Sequence, residues 1–158
     1  RNTTTKENIE NLINFRKKCK KNGVEFYVSN DTKLLTRLKA DGLYISAYNK
    51  NLLLNIYSKK GFKIIGSAHN QREIDLKIKQ GCEAIIYSRL FRTKYPNKKG
   101  YLGMQKFNII SLRSRKEMIP LGGINEKNLC KMKSVLSSSF ACLSAIKKKP
   151  AKIINRLF

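Results

Sequence analysis

Apolar and polar residues follow two different periods along this chain, and the two periods alternate. Short apolar runs rich in Ile, Leu, Val and Tyr are typical of strands. Between these runs, apolar residues recur every three or four positions, which predicts amphipathic helices. The predicted strands lie at 24–28, 43–45, 63–66, 84–87, 118–121 and 140–143.

The segments between these runs carry the start signals of helices. Asn49, Asn70 and Asn125 each stand before an apolar periodic segment, where an N-cap residue is expected. Strict alternation of strand and helix then predicts parallel strands joined by crossover helices. The predicted helices lie at 5–22, 34–38, 49–61, 70–81, 104–113 and 125–133, and a basic amphipathic helix closes the chain.

The predicted strands are apolar without alternation, as expected when a parallel sheet is covered on both faces. No GxGxxG segment follows the first strand, which counts against an open dinucleotide-binding sheet. Polar residues follow nearly every strand, which is typical of a closed barrel with its site at the carboxyl ends of the strands. We therefore predict an α/β fold, a (β/α)8 TIM barrel forming one domain over residues 1–158. Because there are six predicted strands and Arg1 directly precedes a helix, we expect the N-terminal strand–helix–strand, and hence the first one to two strands, to be absent.

Charge adds a constraint on the ligand. Lys and Arg number 34 against 10 Asp and Glu, and the formal net charge of +24 favours anionic partners such as phosphates, acidic lipid or nucleic acid. The lysines are scattered over every segment and do not interleave with aromatic residues, as a base-stacking surface requires. A solvated lysine-rich surface and small phosphorylated ligands are therefore favoured over nucleic acid.

Cysteine spacing and hydropathy indicate the compartment. The four cysteines form no CxxC pair, which argues against a zinc site or a disulfide framework. No apolar stretch approaches the ~20 residues that a membrane span needs, and no signal peptide opens the chain. We expect a cytoplasmic protein that does not bind a membrane. The sequence leaves open whether it forms a homo-oligomer.

Five segments carry motifs at consecutive strand ends. They are Asn-Asp and Ala-Asp-Gly within 30–45, Ser-x-His within 64–69, a strand and loop ending in threonine at 81–93, Gly-Gly within 119–125, and Cys-Leu-Ser-Ala-Ile at 142–146. In order and spacing they resemble the thiamine phosphate synthase family and its relative, the thiazole tautomerase, over nearly the whole chain. The resemblance implies a transferase that joins hydroxymethylpyrimidine diphosphate to thiazole phosphate, giving thiamine phosphate and pyrophosphate.

The resemblance implies that a catalytic and metal-binding group lies at the first strand ends. Asn30 and Asp31 would bind the pyrimidine diphosphate together with Mg²⁺, a cation that prefers oxygen ligands. Asn49 would be the second metal position, but it is neutral where the family carries aspartate, which implies weaker metal binding. Arg1 would contact the diphosphate, and Ser67 would contact the substrate. Alternatively, Asp31 is only an N-cap or turn residue.

The resemblance places the second substrate, thiazole phosphate, at the last strand ends. Gly122 and Gly123 would let backbone amides approach the phosphate closely. Leu143 and Ser144 would assist them, with Ser144 at the start of a helix. Alternatively, the two glycines form only a tight turn between strand and helix.

One loop departs from the family pattern. Thr93 matches the first residue of a Thr-x-Thr-Lys turn, but Pro96 stands where the lysine is expected. Lys94, or one of the lysines that follow it, could supply the missing charge. His69, the only histidine, is expected to orient the Ser-x-His loop and not to act as a base.

These departures leave two alternatives to an active synthase. Thr3, Asn49 and Pro96 replace charged or reactive family residues, as in a catalytically degenerate paralogue that still binds a phosphorylated thiazole. A tautomerase-like protein is the other alternative, but the catalytic histidine of that enzyme corresponds to a position near Arg89. A transferase that uses Mg²⁺ is the preferred hypothesis.

Overall fold

A computed structural model describes residues 9–93 and 100–143. Within these residues, five parallel strands form one sheet in the order in which they follow along the chain. The strands are β1 (Tyr27–Ser29), β2 (Gly42–Ile45), β3 (Lys63–Ala68), β4 (Ala84–Ser88) and β5 (Glu117–Leu121). Parallel strands in chain order, each beside its neighbour, are the arrangement of a (β/α) barrel, so the predicted α/β class is confirmed.

Helices connect the strands. They are α1 (Ile9–Lys21), α2 (Thr32–Arg37), α3 (Asn55–Lys59), α4 (Gln71–Lys79) and α5 (Met104–Arg113), with short 3₁₀ helices at Leu52–Leu54 and Leu129–Ser134. The prediction for α5 is confirmed at both ends. Asn70 caps α4 as predicted, because its side chain accepts a hydrogen bond from the amide of Glu73. None of the described helices is long and apolar enough to cross a membrane.

Two predicted helix starts are wrong. The segment after β2 begins its helix at the 3₁₀ turn, and the cap is Asn51, which accepts from the amide of Leu53. Asn49 does not cap, because its side chain bonds instead to Asn30 and to the amide of Asn51. Asn125 begins a turn, in which its side chain accepts a hydrogen bond from the amide of Lys127. The helix that follows is a 3₁₀ helix and begins only at Leu129.

The predicted sixth strand is a single bridge in the described part of the chain. Ala141 pairs with Leu121 in parallel, and its amide donates to Pro120 at 2.9 Å. The three serines at 137–139, just before the bridge, form side-chain hydrogen bonds. The hydroxyls of Ser138 and Ser139 donate to Glu117, and that of Ser137 donates to the Ser139 carbonyl. The expectation of six full strands is therefore corrected to five strands and one bridge.

The core lies between the sheet and its helices, and it fixes the positions of the strand ends. Strand residues such as Leu43, Ile64 and Ile85 are fully buried, and Phe107 of α5 is too. The closing helix predicted from the sequence lies outside the described residues. So do Arg1, Lys94 and Ser144, together with Thr3 and Pro96.

Candidate functional site

Parallel strands in one sheet end at the same edge, so the residues that follow the strands lie along that edge. The carboxyl ends of the five strands carry polar residues or glycines. These are Asn30 and Asp31 after β1, Ser46 and Asn49 after β2, His69 after β3, Ser88 and Arg89 at β4, and Gly122 and Gly123 after β5. Ser67 lies two residues before His69, buried within β3, because that strand continues to Ala68.

Asn30 joins the first two strand ends. Its backbone has φ +56, a left-handed conformation that asparagine adopts more readily than most residues. Its side-chain oxygen accepts from the Ser46 amide at 3.1 Å and from Asn49 Nδ2 at 3.0 Å. Its Nδ2 donates to Ser46 Oγ at 3.0 Å. The structure thus brings together two of the residues that the sequence assigned to the diphosphate and metal group.

Asp31 is the N-cap of α2. Its Oδ1 accepts from the Leu34 amide at 2.9 Å, and the residue is exposed. This confirms the cap, and the carboxylate has a second oxygen that could serve a ligand. No group of three or more His, Cys, Asp or Glu side chains among the described residues could hold a metal. Mg²⁺ typically keeps several waters and takes only one or two carboxylates plus substrate phosphates, so Asp31 fits a metal that arrives with a diphosphate.

A cleft of about 410 Å³ opens at the ends of β3 and β4. It is lined by His69, Tyr87, Ser88, Arg89, Gly100, Tyr101, Leu102 and Lys106. Two cations, Arg89 and Lys106, line one cavity with the hydroxyls of serine and tyrosine. That combination suits a phosphorylated ligand.

His69 is held by neighbours on three sides. Its ring Nδ1 lies 2.8 Å from Ser88 Oγ, its amide donates to Glu73 at 2.8 Å, and its carbonyl accepts from Tyr87 OH at 3.2 Å. Burial raises the pKa of Tyr87, so the phenol stays protonated and donates. These contacts fix the ring and the backbone of His69 at the end of β3, and its orienting role stays a prediction.

The two glycines after β5 pack against the loop after β4. Gly123 has φ +71, and a Cβ there would lie 2.6 Å from Arg92 O; Gly122 has φ +106, and its Cβ would lie 3.1 Å from the Arg89 side chain. The Phe91 amide donates to the Gly122 carbonyl at 3.0 Å. The glycines therefore form a tight turn, and this turn places the last strand ends in contact.

Arg89 also connects this turn to Thr93, since its Nη1 donates to Thr93 Oγ1 at 3.0 Å. Leu143, assigned to the phosphate group from the sequence, is exposed beyond the bridge. Tyr101 and Lys106, which also line the cleft, were not predicted as site residues. A lysine in the first turn of α5, directly after a long polar segment, is the signal that could have indicated the latter.

Comparisons with known proteins identify relatives of this chain. A family model described as thiamine monophosphate synthase matches residues 1–146. Thiamine-phosphate synthase of Prochlorococcus marinus subsp. pastoris is 28% identical over 142 residues, covering 89% of this chain and 40% of the relative. Thiamine-phosphate synthase of Persephonella marina is 26% identical over 149 residues, covering 92% of this chain and 70% of the relative.

A solved structure shares the fold. Thiamine phosphate pyrophosphorylase from Pyrococcus furiosus superposes with a TM-score of 0.76 at 16% identity, covering 98% of this chain and 78% of that one. This likeness shows a TIM-barrel-like architecture. The chain spans only about two fifths of the length of the Prochlorococcus relative.

Proposed function

Because the chain belongs to the thiamine monophosphate synthase family, we propose that it is a thiamine phosphate synthase-like transferase. It joins hydroxymethylpyrimidine diphosphate to thiazole phosphate. The bond between the pyrimidine methylene carbon and the diphosphate oxygen breaks, a bond from that carbon to the thiazole nitrogen forms, and pyrophosphate leaves. One observation carries the proposal: two groups of site residues lie at the same edge of the sheet. Asn30, with Ser46 and Asn49, follows the first two strands, and the Gly122–Gly123 turn follows the last.

The diphosphate end of the reaction is assigned to Asn30, Asp31 and Asn49, with Arg1 and Ser67. Mg²⁺, when bound, neutralises charge on the leaving diphosphate. Asp31 would hold the metal, with Asn49 beside it. Asn30 orients this group, because one side-chain oxygen receives donors from both Ser46 and Asn49. Preorganised groups of this kind stabilise developing charge without reorganising during the step.

The phosphate of the thiazole is assigned to Gly122, Gly123, Leu143 and Ser144, with Thr93 and Lys94. Arg89 lies across Gly122 and bonds to Thr93. This arginine and Lys106 line the same cleft, and they could supply the positive charge that is lost where Pro96 replaces the family's lysine. The route requires no general base, which suits a chain with one histidine. We place the protein in the cytoplasm, acting on small phosphorylated substrates.

The test is turnover of the two thiamine precursors by the full-length protein with Mg²⁺. We expect pyrophosphate release that requires both substrates, with thiamine phosphate formed in equal amount. Omission of either precursor is the control for simple diphosphate hydrolysis. Absence of product would refute the synthase.

A second candidate, a non-catalytic paralogue, is favoured by the neutral Asn49. It would bind thiazole phosphate without releasing pyrophosphate. Titration of thiazole phosphate in a calorimeter, beside the turnover assay, separates the two functions.

A further inference from the structure

A lysine is completely buried next to the candidate site. Lys77 of α4 has 0% of its surface exposed, whereas lysine is almost never fully buried without a partner. Neither of the two ion pairs found among the described residues includes it. Burial lowers its pKa, against weaker opposing effects of Cys82 and Glu73. A charged group kept in such a place needs an explanation beyond packing.

The ammonium group finds three acceptors for its three donors. Its Nζ donates to the Ser46 carbonyl at 2.8 Å, to the Asn49 carbonyl at 2.9 Å and to Gln80 Oε1 at 2.8 Å. Gln80, also fully buried, donates through Nε2 to the Asn49 and Asn51 carbonyls, both at 3.0 Å. Lys77 in the last turn of α4 and the C-cap residue Gln80 therefore hold the loop at 46–51 by its backbone.

The path of the lysine is built into the sheet. Gly66 of β3 has no side chain, and a Cβ there would lie 2.8 Å from Lys77 Cδ and 2.9 Å from its Cγ. Glycine at this position leaves room for the lysine stem to pass the strand and reach the loop after β2. The glycine in β3 and the lysine in α4 therefore fit together, and the lysine reaches this loop.

The loop that Lys77 holds is the one whose side chains contact Asn30. Ser46 and Asn49 bond to Lys77 through their carbonyls, and to Asn30 through the Ser46 amide and the Asn49 side chain. We propose that Lys77, with Gln80, is a positioning residue that fixes Asn49 against Asn30 and so prepares the site for the pyrimidine diphosphate. This proposal rests on the proposed function only for the identity of the ligand.

The test compares Lys77→Met with Lys79→Met in the full-length protein. Methionine keeps much of the length and volume of the stem, and Lys79 is an exposed lysine of the same helix that loses the same charge. Hydrogen–deuterium exchange of peptides covering 46–54 reports on the loop directly. We expect faster exchange there in Lys77→Met and unchanged exchange in Lys79→Met.

Binding and kinetics then test the consequence. Affinity for inorganic pyrophosphate with Mg²⁺ should fall by about tenfold in Lys77→Met, the equivalent of one charge-assisted hydrogen bond lost from the site. The KM for the pyrimidine diphosphate should rise similarly, while the KM for thiazole phosphate stays within about twofold of wild type, because that substrate uses other strand ends. A purely structural lysine would lower the active fraction without separating the two KM values.

Each outcome decides the proposal. Unchanged exchange of the 46–54 peptides in Lys77→Met would show that Lys77 does not hold the loop. Faster exchange with unchanged pyrophosphate affinity would show that holding the loop does not position the site. If Lys77→Met does not fold, Gln80→Leu removes one acceptor and two donors while keeping the lysine, and the same measurements apply. A wild-type protein without synthase turnover would refute the proposed function alone, since exchange and pyrophosphate affinity still test Lys77.

Discussion

Replacing Gly123 with alanine tests whether the turns after β4 and β5 are built against each other. A Cβ at this position would lie 2.6 Å from Arg92 O and 2.7 Å from the carbonyl carbon and oxygen of Phe91. All three atoms belong to the backbone, so no flexible side chain can move aside. Gly23 is a matched control, since its φ of +66 is close to the +71 of Gly123 and a Cβ there would meet nothing within 4 Å.

The two substitutions share a conformational penalty and differ in the collision. A left-handed conformation costs a non-glycine residue about 1 kcal/mol, and forcing extra volume into a packed region adds about 1–3 kcal/mol. We therefore expect the free energy of unfolding to fall by about 1 kcal/mol in Gly23→Ala and about 2–4 kcal/mol in Gly123→Ala. The corresponding decreases in Tm are about 3 °C and about 9 °C for a chain of this size.

Urea unfolding followed by circular dichroism measures both losses. Repeating it with inorganic phosphate tests the site, because a ligand of the folded state stabilises by an amount set by its affinity. Wild type and Gly23→Ala should gain equally from phosphate, and Gly123→Ala should gain less. Equal destabilisation of the two variants would show that the turns do not press on each other. Equal gains in all three proteins would remove Gly123 from the phosphate site.

Three further predictions concern single side chains. Asp31→Asn should leave the free energy of unfolding within about 0.5 kcal/mol of wild type, because asparagine caps helices as well as aspartate does, yet it should abolish turnover with Mg²⁺; urea unfolding and pyrophosphate release measure the two effects. Asn49→Asp replaces the 3.0 Å hydrogen bond to Asn30 Oδ1 with repulsion between two acceptors, which should cost about 1–3 kcal/mol without metal. Added Mg²⁺ should restore its stability and raise turnover, as thermal unfolding with and without the metal would show. Burial raises the pKa of Cys82 to about 12, and the thiolate is the reactive form, so a thiol reagent at pH about 8 should label exposed Cys130 in the folded protein and Cys82 only after unfolding, as read by mass spectrometry.

Local patterns were sufficient for most elements of this fold. Alternating periods predicted each of the five strands, and the predicted bounds of α5 agree at both ends. The predictions failed where a distant partner decides. Asn49 and Asn51 stand equally well before the same apolar segment, and it is Asn30, far earlier in the chain, that binds Asn49 and leaves Asn51 to cap.

The row of polar strand ends was predictable, because parallel strands bring their carboxyl ends to one edge of the sheet. The cleft residues Lys106 and Tyr101 were missed, since they come from the far side of a long polar segment that has no period. Lys77 was missed for a different reason. A lysine within an amphipathic helix is expected on the solvated face. Its burial depends on Gly66 of β3, which leaves room for its stem, and on distant carbonyl acceptors.

The buried lysine and the residue at position 49 are coupled through the loop at 46–51. Asn49 is neutral, and the Lys77 ammonium donates to its backbone carbonyl at 2.9 Å, so a buried cation lies directly against this loop. An aspartate at 49 would gain attraction from that buried ammonium as well as affinity for a cation. Asn49→Asp should therefore destabilise a Lys77→Met background by about 1 kcal/mol more than it destabilises wild type, a coupling of the size seen for residues in direct contact. A double-mutant cycle by urea unfolding without metal measures this term. Additivity within about 0.3 kcal/mol would mean that the ammonium does not act on the side chain of residue 49.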